Sequence, residues 1–235
     1  MTSLNILSGG AAQGLVGSLA PAFKAQTGFD IAGEFGAVGL MADKLRNGTP
    51  ADVVILTATI LARLAEEKLV LPSSISNIGV VETALAVRAG DPKVVVTDAA
   101  SLRDALRASD AIFVPDTKAS TAGIHVAKVL AQLGIADEVA SRLKIFANGA
   151  TAMKHLATSD AKRPIGCTQA TETIGTAGVA LSGSLPSGYA LSTMYAAGVT
   201  TNAANAAQAQ MLIDLLTADD QRALHRRAGF LDAKI

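Results

Sequence analysis

Residues 4–13 read LNILSGGAAQ, an apolar run that ends in a serine and two glycines before a stretch with helical spacing. This order predicts a strand from Leu4 to Leu7, a tight glycine turn, and a helix that buries Leu15 and Phe23 on one face. A strand, a turn and a helix in succession form the basic unit of a sheet with helices packed on it. The stretch therefore predicts an α/β fold.

The same order of strand, small-residue turn and helix recurs further along the chain. A second predicted strand, Asp30 to Phe35, runs into the turn Gly36-Ala37-Val38-Gly39. A continuous apolar run, Val53 to Leu56, is typical of a strand that is buried on both faces. Three such units in succession indicate a parallel sheet.

The middle of the chain predicts a second α/β unit. Two strand-like runs, Ile78 to Val81 and Ala84 to Val87, are separated by two polar residues, and Ser101 is the predicted N-cap of a short helix. Polar turns at residues 116–123 and 148–151 then stand between predicted strands and helices. The pattern of the first unit is thus repeated in the second.

Composition excludes several classes of partner. The chain of 235 residues carries 20 basic and 20 acidic side chains, so it lacks the basic surplus that binding to nucleic acid or to an anionic membrane requires. Its two long uncharged stretches, residues 1–23 and 173–213, are interrupted by glycine and polar residues. We therefore expect no nucleic-acid partner and no membrane insertion.

The motifs that would indicate a cofactor are missing from the sequence. Neither GxGxxG nor GxxxxGK[ST] is present, and neither HExxH nor GxSxG occurs. A single cysteine, Cys167, rules out a disulfide framework and a thiolate metal site within the chain. We expect neither a metal nor a cofactor.

The turns that follow the predicted strands point to an anion as the ligand. The start of a helix leaves backbone N–H groups unpaired, and in an α/β sheet these starts lie at the carboxyl ends of the strands, where ligands bind. If the two units face each other, their turns converge on one cleft and hold a small anion with neutral dipoles. The predicted ligand-binding residues are Ser8, Gly9, Gly10, Gln13, Gly36, Ala37, Gly39, Thr57, Ser120, Thr121, Ala122, Gly149, Thr151 and Gln169.

Several segments together carry a resemblance to a known family. They are Gly48-Thr49-Pro50-Ala51-Asp52-Val53-Val54-Ile55, Ala122-Gly123-Ile124, and the end of the chain from Leu215 to Phe230. The chain resembles the type II periplasmic solute-binding proteins, and most closely the molybdate-binding branch. The resemblance implies two α/β lobes, residues 1–82 plus 193–235 and residues 83–192, with a ligand cleft between them.

Three positions depart from the molybdate-binding pattern. Molybdate binders place serine hydroxyls in the first two turns and a tyrosine after the late strand. Here the corresponding positions are Gly10, the stretch from Ala37 to Gly39, and Gln169. A tetrahedral oxyanion needs a dense cage of donors, so these differences favour a small di- or tricarboxylate over molybdate.

The sequence leaves open whether the site is catalytic. Aconitate isomerase resembles the same branch, and a proton shift along an unsaturated carboxylate needs a general base close to the bound anion. His125 and Glu172 are the candidate catalytic residues, although a histidine on a helix face and a carboxylate that caps a helix are the ordinary interpretations of both.

The two functions imply different compartments and partners. The sequence shows no signal peptide after Met1, which predicts a cytoplasmic protein; a leader removed before Met1 would instead make it periplasmic. An exported binding protein would be expected to work with an ABC-type permease. A cytoplasmic isomerase would need no such partner.

Overall fold

The computed structural model describes residues Thr2–Asp232. The strands are β1 Ser3–Gly9, β2 Asp30–Gly36, β3 Val53–Thr57, β4 Ser76–Arg88, β5 Ala111–Pro115, β6 Leu143–Phe146, β7 Pro164–Gln169, β8 Val179–Ser184 and β9 Ser192–Val199. The helices are α1 Gln13–Thr27, α2 Val38–Arg46, α3 Ala58–Glu66, α4 Ala99–Ala108, α5 Thr121–Gln132, α6 Ala136–Val139, α7 Gly149–Ala157, α8 Ala170–Ile174, α9 Ala206–Thr217 and α10 Arg222–Arg227. The predicted α/β class is confirmed.

The chain divides into two compact units. Unit 1 contains the segment up to Val81 and the segment from Thr193 onward, and unit 2 contains Glu82–Ser192. Each unit has its own buried apolar residues. No helix within the described part of the chain has the length and apolar character needed to cross a bilayer.

Unit 1 is built on the parallel strands β2, β1 and β3, in that spatial order. Gly9 at the end of β1 pairs with Gly36 at the end of β2, and Ser8 pairs with Ile55 of β3. The carboxyl ends of the three strands therefore lie side by side. Strand β9 runs antiparallel to β3, which places Tyr195 opposite Thr57 at the same end of the sheet.

A buried aspartate holds the opposite end of unit 1 together. Asp52, which precedes β3 and is 2% exposed, accepts hydrogen bonds from the backbone N–H of Asn5 (2.9 Å) and of Asn205 (2.8 Å). It thus ties β1 to the residue that precedes α9, which supports the structural interpretation of this aspartate.

Unit 2 repeats the arrangement with the parallel strands β7, β5 and β6. Strand β4 lies antiparallel to β7, and β8 lies antiparallel to β4. Thr83 of β4 is directly opposite Gln169, the last residue of β7. The turns before α5, α7 and α8 consequently lie at one end of this sheet.

Two local predictions were wrong, and one strand was not predicted. Glu82 and Thr83 do not separate two strands, because β4 runs through them and Thr83 is buried in the ladder. The N-cap of α4 is Asp98 instead of Ser101: the Asp98 carboxylate accepts the N–H of Ser101, and the Ser101 hydroxyl accepts the N–H of Asp98. Strand β8 was not predicted from the sequence at all.

Candidate functional site

The predicted ligand-binding residues of unit 1 lie around the carboxyl ends of β1, β2 and β3. Ser8, Gly9 and Gly10 are buried at the end of β1, whereas Gln13 is exposed in the first turn of α1. Gly36 ends β2, Ala37 joins it to α2, Gly39 lies in the first turn of α2, and Thr57 ends β3. The parallel register brings all of these turns to the same end of the sheet.

Next to the carboxyl ends of β1 and β2, two helical segments begin without a side-chain cap. Within Thr2–Asp232, no side chain caps the 3-10 turn that follows Gly9 and leads into α1, and none caps α2 after Ala37. The first N–H groups of these segments are the unpaired donors that every helix start leaves. Helix α3 differs, because the Thr57 hydroxyl accepts the N–H of Ile60 at 3.4 Å.

The side chains at these starts contribute little charge. Ser8 donates its hydroxyl to the carbonyl of Gly9 at 2.9 Å, and Gly10 and Ala37 carry no polar side chain. The donors available in unit 1 are therefore mostly backbone amides, which bind an anion without a cationic partner.

Tyr195 is a candidate residue that sequence reasoning missed. It is 2% exposed, and a Cβ placed on Gly9 would lie 3.0 Å from its ring and 3.6 Å from its hydroxyl. The phenol therefore borders the turn that follows β1. The signal in the sequence was a lone tyrosine at the start of the apolar run that forms β9, a pattern equally typical of a core residue.

The start of α5 in unit 2 is open in the same way. Ser120, the N-cap residue, makes no side-chain capping bond to any described residue, so Thr121 and Ala122 begin the helix with uncapped N–H groups. Asp116 holds the preceding loop, because its carboxylate accepts the N–H of Lys118 (2.7 Å) and of Ala119 (2.9 Å). These two bonds lower the pKa of Asp116.

The start of α7 is closed by side chains of unit 2. Asn148 accepts the N–H of Thr151 at 2.8 Å, and the carboxyl group of Glu172 accepts the N–H groups of Gly149 and Ala150. The Thr168 hydroxyl adds a hydrogen bond of 2.6 Å to Oε2 of Glu172. The carboxyl group of Glu172 therefore occupies the donors of this turn.

The burial of Glu172 shifts the pKa of its carboxyl group. The residue is 7% exposed, and this loss of solvent raises the pKa of its carboxyl group. The hydrogen bonds from Thr168 and from the backbone of Gln169, Ala150 and Gly149 oppose the rise without cancelling it.

Buried polar atoms without partners cluster at the carboxyl end of β7. Gln169 is 2% exposed, and neither its Nε2 nor its Oε1 has a hydrogen-bond partner within the described chain. The same holds for the hydroxyls of Thr83, Thr171 and Thr173. Each such atom costs on the order of 1–3 kcal/mol, so these atoms mark a place where a bound group would supply the missing bonds.

His125 lies in the second turn of α5 with its ring half-buried. Its Nε2 donates a hydrogen bond to the carbonyl of Tyr189 at 2.7 Å, which connects α5 to the loop that precedes β9. In this tautomer Nδ1 carries the lone pair of the neutral ring. The structure thus gives both candidate catalytic residues, His125 and Glu172, partners inside unit 2.

Other possible sites contain none of the predicted residues. No cluster of three histidine, cysteine, aspartate or glutamate side chains suited to a metal occurs in the part of the chain that is described. A cavity of about 320 Å³ in unit 2 lies beside Pro164 and Ile165, at the amino end of β7. Another of about 400 Å³ in unit 1 is lined by His225 and Arg222.

The fold is similar to that of several proteins of known structure. The fold is similar to that of the periplasmic molybdate-binding protein of Azotobacter vinelandii, with a TM-score of 0.80 and 20% identity over 97% of this chain and 99% of that chain. It is also similar to the sulfate-binding protein SubI from Mycobacterium tuberculosis H37Rv, with a TM-score of 0.76 and 20% identity over 100% of this chain and 88% of that chain. These similarities confirm the expected fold.

A curated relative shares part of the sequence. Aconitate isomerase from a Pseudomonas species is 27% identical over 137 residues, which span 55% of this chain and only 50% of that enzyme. Residues 4–231 match the family model described as bacterial extracellular solute-binding protein. The resemblance identified from the sequence is thereby confirmed, and the chain belongs to the bacterial extracellular solute-binding protein family.

Proposed function

We propose that the chain binds a small carboxylate anion, a di- or tricarboxylate, through the open strand-end turns. The observation that carries the proposal is the set of uncapped starts at Gly9 and Ala37 in unit 1 and at Ser120 in unit 2. Each offers N–H groups and the positive end of a helix dipole to an anion. A natural binding protein that uses neutral donors need not bury a counter-charge.

The side chains at these turns favour a carboxylate over molybdate. Gly10 and Ala37 supply no hydroxyl, and the amide of Gln169 stands where the molybdate-binding pattern has a tyrosine. A carboxylate presents two oxygens in one plane and needs fewer convergent donors than a tetrahedral oxyanion. In unit 1, a ligand with two carboxylates would place one at the helical start that follows Gly9 and the other at the start of α2.

Family membership supports a role as a transport receptor. We propose that the protein acts outside the cytoplasm and delivers its ligand to an ABC-type permease. Fractionation of cells that express the full gene, followed by detection with an antibody, tests the compartment. Release of the protein with the periplasmic fraction is the expected result, and recovery only with the cytoplasm would contradict the proposal.

A thermal-shift screen tests the ligand class. Citrate, trans-aconitate, tricarballylate, succinate, molybdate and sulfate are compared at equal concentration. A ligand present at a hundredfold excess over its Kd adds about 2.7 kcal/mol, which for a chain of this size raises Tm by roughly 5–10 °C. Stabilisation by a carboxylate is expected; stabilisation by molybdate or sulfate alone would reject the proposed ligand class.

The partial match to aconitate isomerase favours a second candidate function. In that reaction a base removes a proton from a CH₂ carbon, the double bond moves by one carbon, and a proton is returned at the far carbon. Nδ1 of His125 and the carboxyl group of Glu172 are the groups proposed to carry that proton. The substrate would occupy the same donors as a transported carboxylate.

Deuterium exchange separates the two candidates. The protein is incubated with trans-aconitate in deuterated water and the products are followed by NMR. Incorporation of deuterium into the CH₂ group or appearance of the cis isomer would support the isomerase, and His125→Ala should then abolish it. Binding without exchange would leave the transport receptor as the function.

A further inference from the structure

The buried donors and acceptors of unit 2 that lack partners indicate which class of carboxylate would bind there. Five of the seven buried side-chain atoms without a partner in the described chain belong to Thr83, Gln169, Thr171 and Thr173. All four residues are at least nine-tenths buried, with exposures of 1%, 2%, 5% and 1%. Thr83 and Gln169 form a directly opposed pair in the antiparallel ladder, so their side chains project from the same face of the sheet.

The amide of Gln169 is the informative member of this cluster. Its Nε2 can only donate and its Oε1 can only accept, and both lack partners within the described residues. A carboxylate oxygen satisfies Nε2, because it accepts hydrogen bonds. It leaves Oε1 unpaired, because a deprotonated acid has no proton to give.

Two hydrogen-bonding groups beside the Gln169 side chain already have a partner. Its backbone N–H and the Thr168 hydroxyl both bond to the carboxyl group of Glu172. That group also receives the N–H groups of Gly149 and Ala150. No group of the described chain donates to Oε1, so a bound molecule with a hydrogen to donate would supply the missing bond.

We propose that Gln169 selects a hydroxycarboxylate, with Nε2 donating to a carboxylate oxygen and Oε1 accepting the hydrogen of a hydroxyl group on the same ligand. Thr83 and Thr171 bind the same region of the ligand, since a hydroxyl can donate to a carboxylate and accept from an alcohol. The inference rests on the proposed function, carboxylate binding, and specifies the class of carboxylate.

Two matched pairs of ligands test the proposal by titration calorimetry on the full chain. Citrate and tricarballylate differ only by one hydroxyl, as do malate and succinate. The wild-type chain should bind the hydroxylated member of at least one pair about tenfold more tightly, or about 1.4 kcal/mol. Gln169→Met, which keeps the length of the side chain but removes both polar atoms, should bring this ratio to within about twofold of one.

A substitution at an exposed glutamine serves as the control, and three outcomes would overturn the proposal or part of it. Gln132→Met makes the same change at an exposed position of the same unit and should keep the wild-type ratio. Equal binding of both members of each pair by the wild-type chain overturns this inference and leaves carboxylate binding intact. Binding of none of the four ligands, with binding of molybdate, overturns the proposed function as well. A ratio that persists in Gln169→Met assigns the selectivity to another residue and overturns the role of Gln169.

Discussion

A Cβ atom placed on Gly149 would lie 1.9 Å from Oε2 of Glu172 and 2.0 Å from the hydroxyl of Thr168. The first turn of α7 is therefore pressed against a buried carboxyl group, and a side chain at position 149 requires that group to move. Gly149→Ala should displace that group from its donors and destabilise the chain by about 3 kcal/mol or more. Urea unfolding followed by circular dichroism measures the loss.

Gly17→Ala is the matched control for this substitution. Gly17 lies in the middle of α1 and is exposed, and a Cβ added to it would meet no described atom within 4 Å beyond its own turn of the helix. Alanine there should stabilise the helix by about 0.5–1 kcal/mol. Equal effects of the two substitutions would contradict the tight contact between Gly149 and Glu172.

Glu172 should make stability depend on pH in a defined direction. Because burial raises its pKa in the folded chain, the folded state keeps the proton over a range in which the unfolded chain has lost it. The contribution of Glu172 to the stability of the folded chain is fully present below its ordinary pKa of about 4.3. It is lost as pH rises through the pKa that the group has in the folded chain.

Glu172→Gln removes this dependence, since glutamine does not titrate. The stability of the wild-type chain relative to Glu172→Gln should fall as the pH is raised from about 4.3 toward neutral. Urea unfolding of both proteins across this range gives the difference. A constant difference, or one that grows in favour of the wild type, would contradict the raised pKa.

The elements with a helical or a buried-strand pattern were predictable from the sequence. The runs that form β1, β3 and β5 are short, apolar and followed by small or polar residues, so periodicity and turn chemistry agree. Strand β8 reads VALSGS, in which serine and glycine mask the pattern. It forms because β4 offers a partner at long range, and no local signal reports such pairing.

The candidate site was predictable in position but not in detail. Strand-end turns were located from glycine and hydroxyl residues, yet the sequence does not show which turns are already occupied by the chain. Whether α7 is closed depends on Glu172, which comes 23 residues after Gly149 along the chain. Likewise, the pairing of Thr83 with Gln169 is a long-range contact between antiparallel strands.

Cys167 should be unreactive in the folded chain. It is 3% exposed in β7, and burial raises the pKa of its thiol to about 12. The thiolate that reacts with alkylating reagents is therefore scarce and shielded. Iodoacetamide at mildly alkaline pH should modify it only as fast as unit 2 opens, and rapidly in urea. Complete modification of the native chain on mixing would contradict this burial.

The central claim, that an uncapped helix start binds the anion, is tested most directly at the first residue of α5. Thr121→Pro removes one backbone N–H at a position where proline suits a helix, and Ser120 before it already has the extended conformation that proline requires. Ala99→Pro makes the same change at the first residue of α4, whose start is capped by Asp98. Titration calorimetry with citrate should show binding at least about tenfold weaker for Thr121→Pro and unchanged for Ala99→Pro. Equal affinity of both variants and the wild type would contradict the claim.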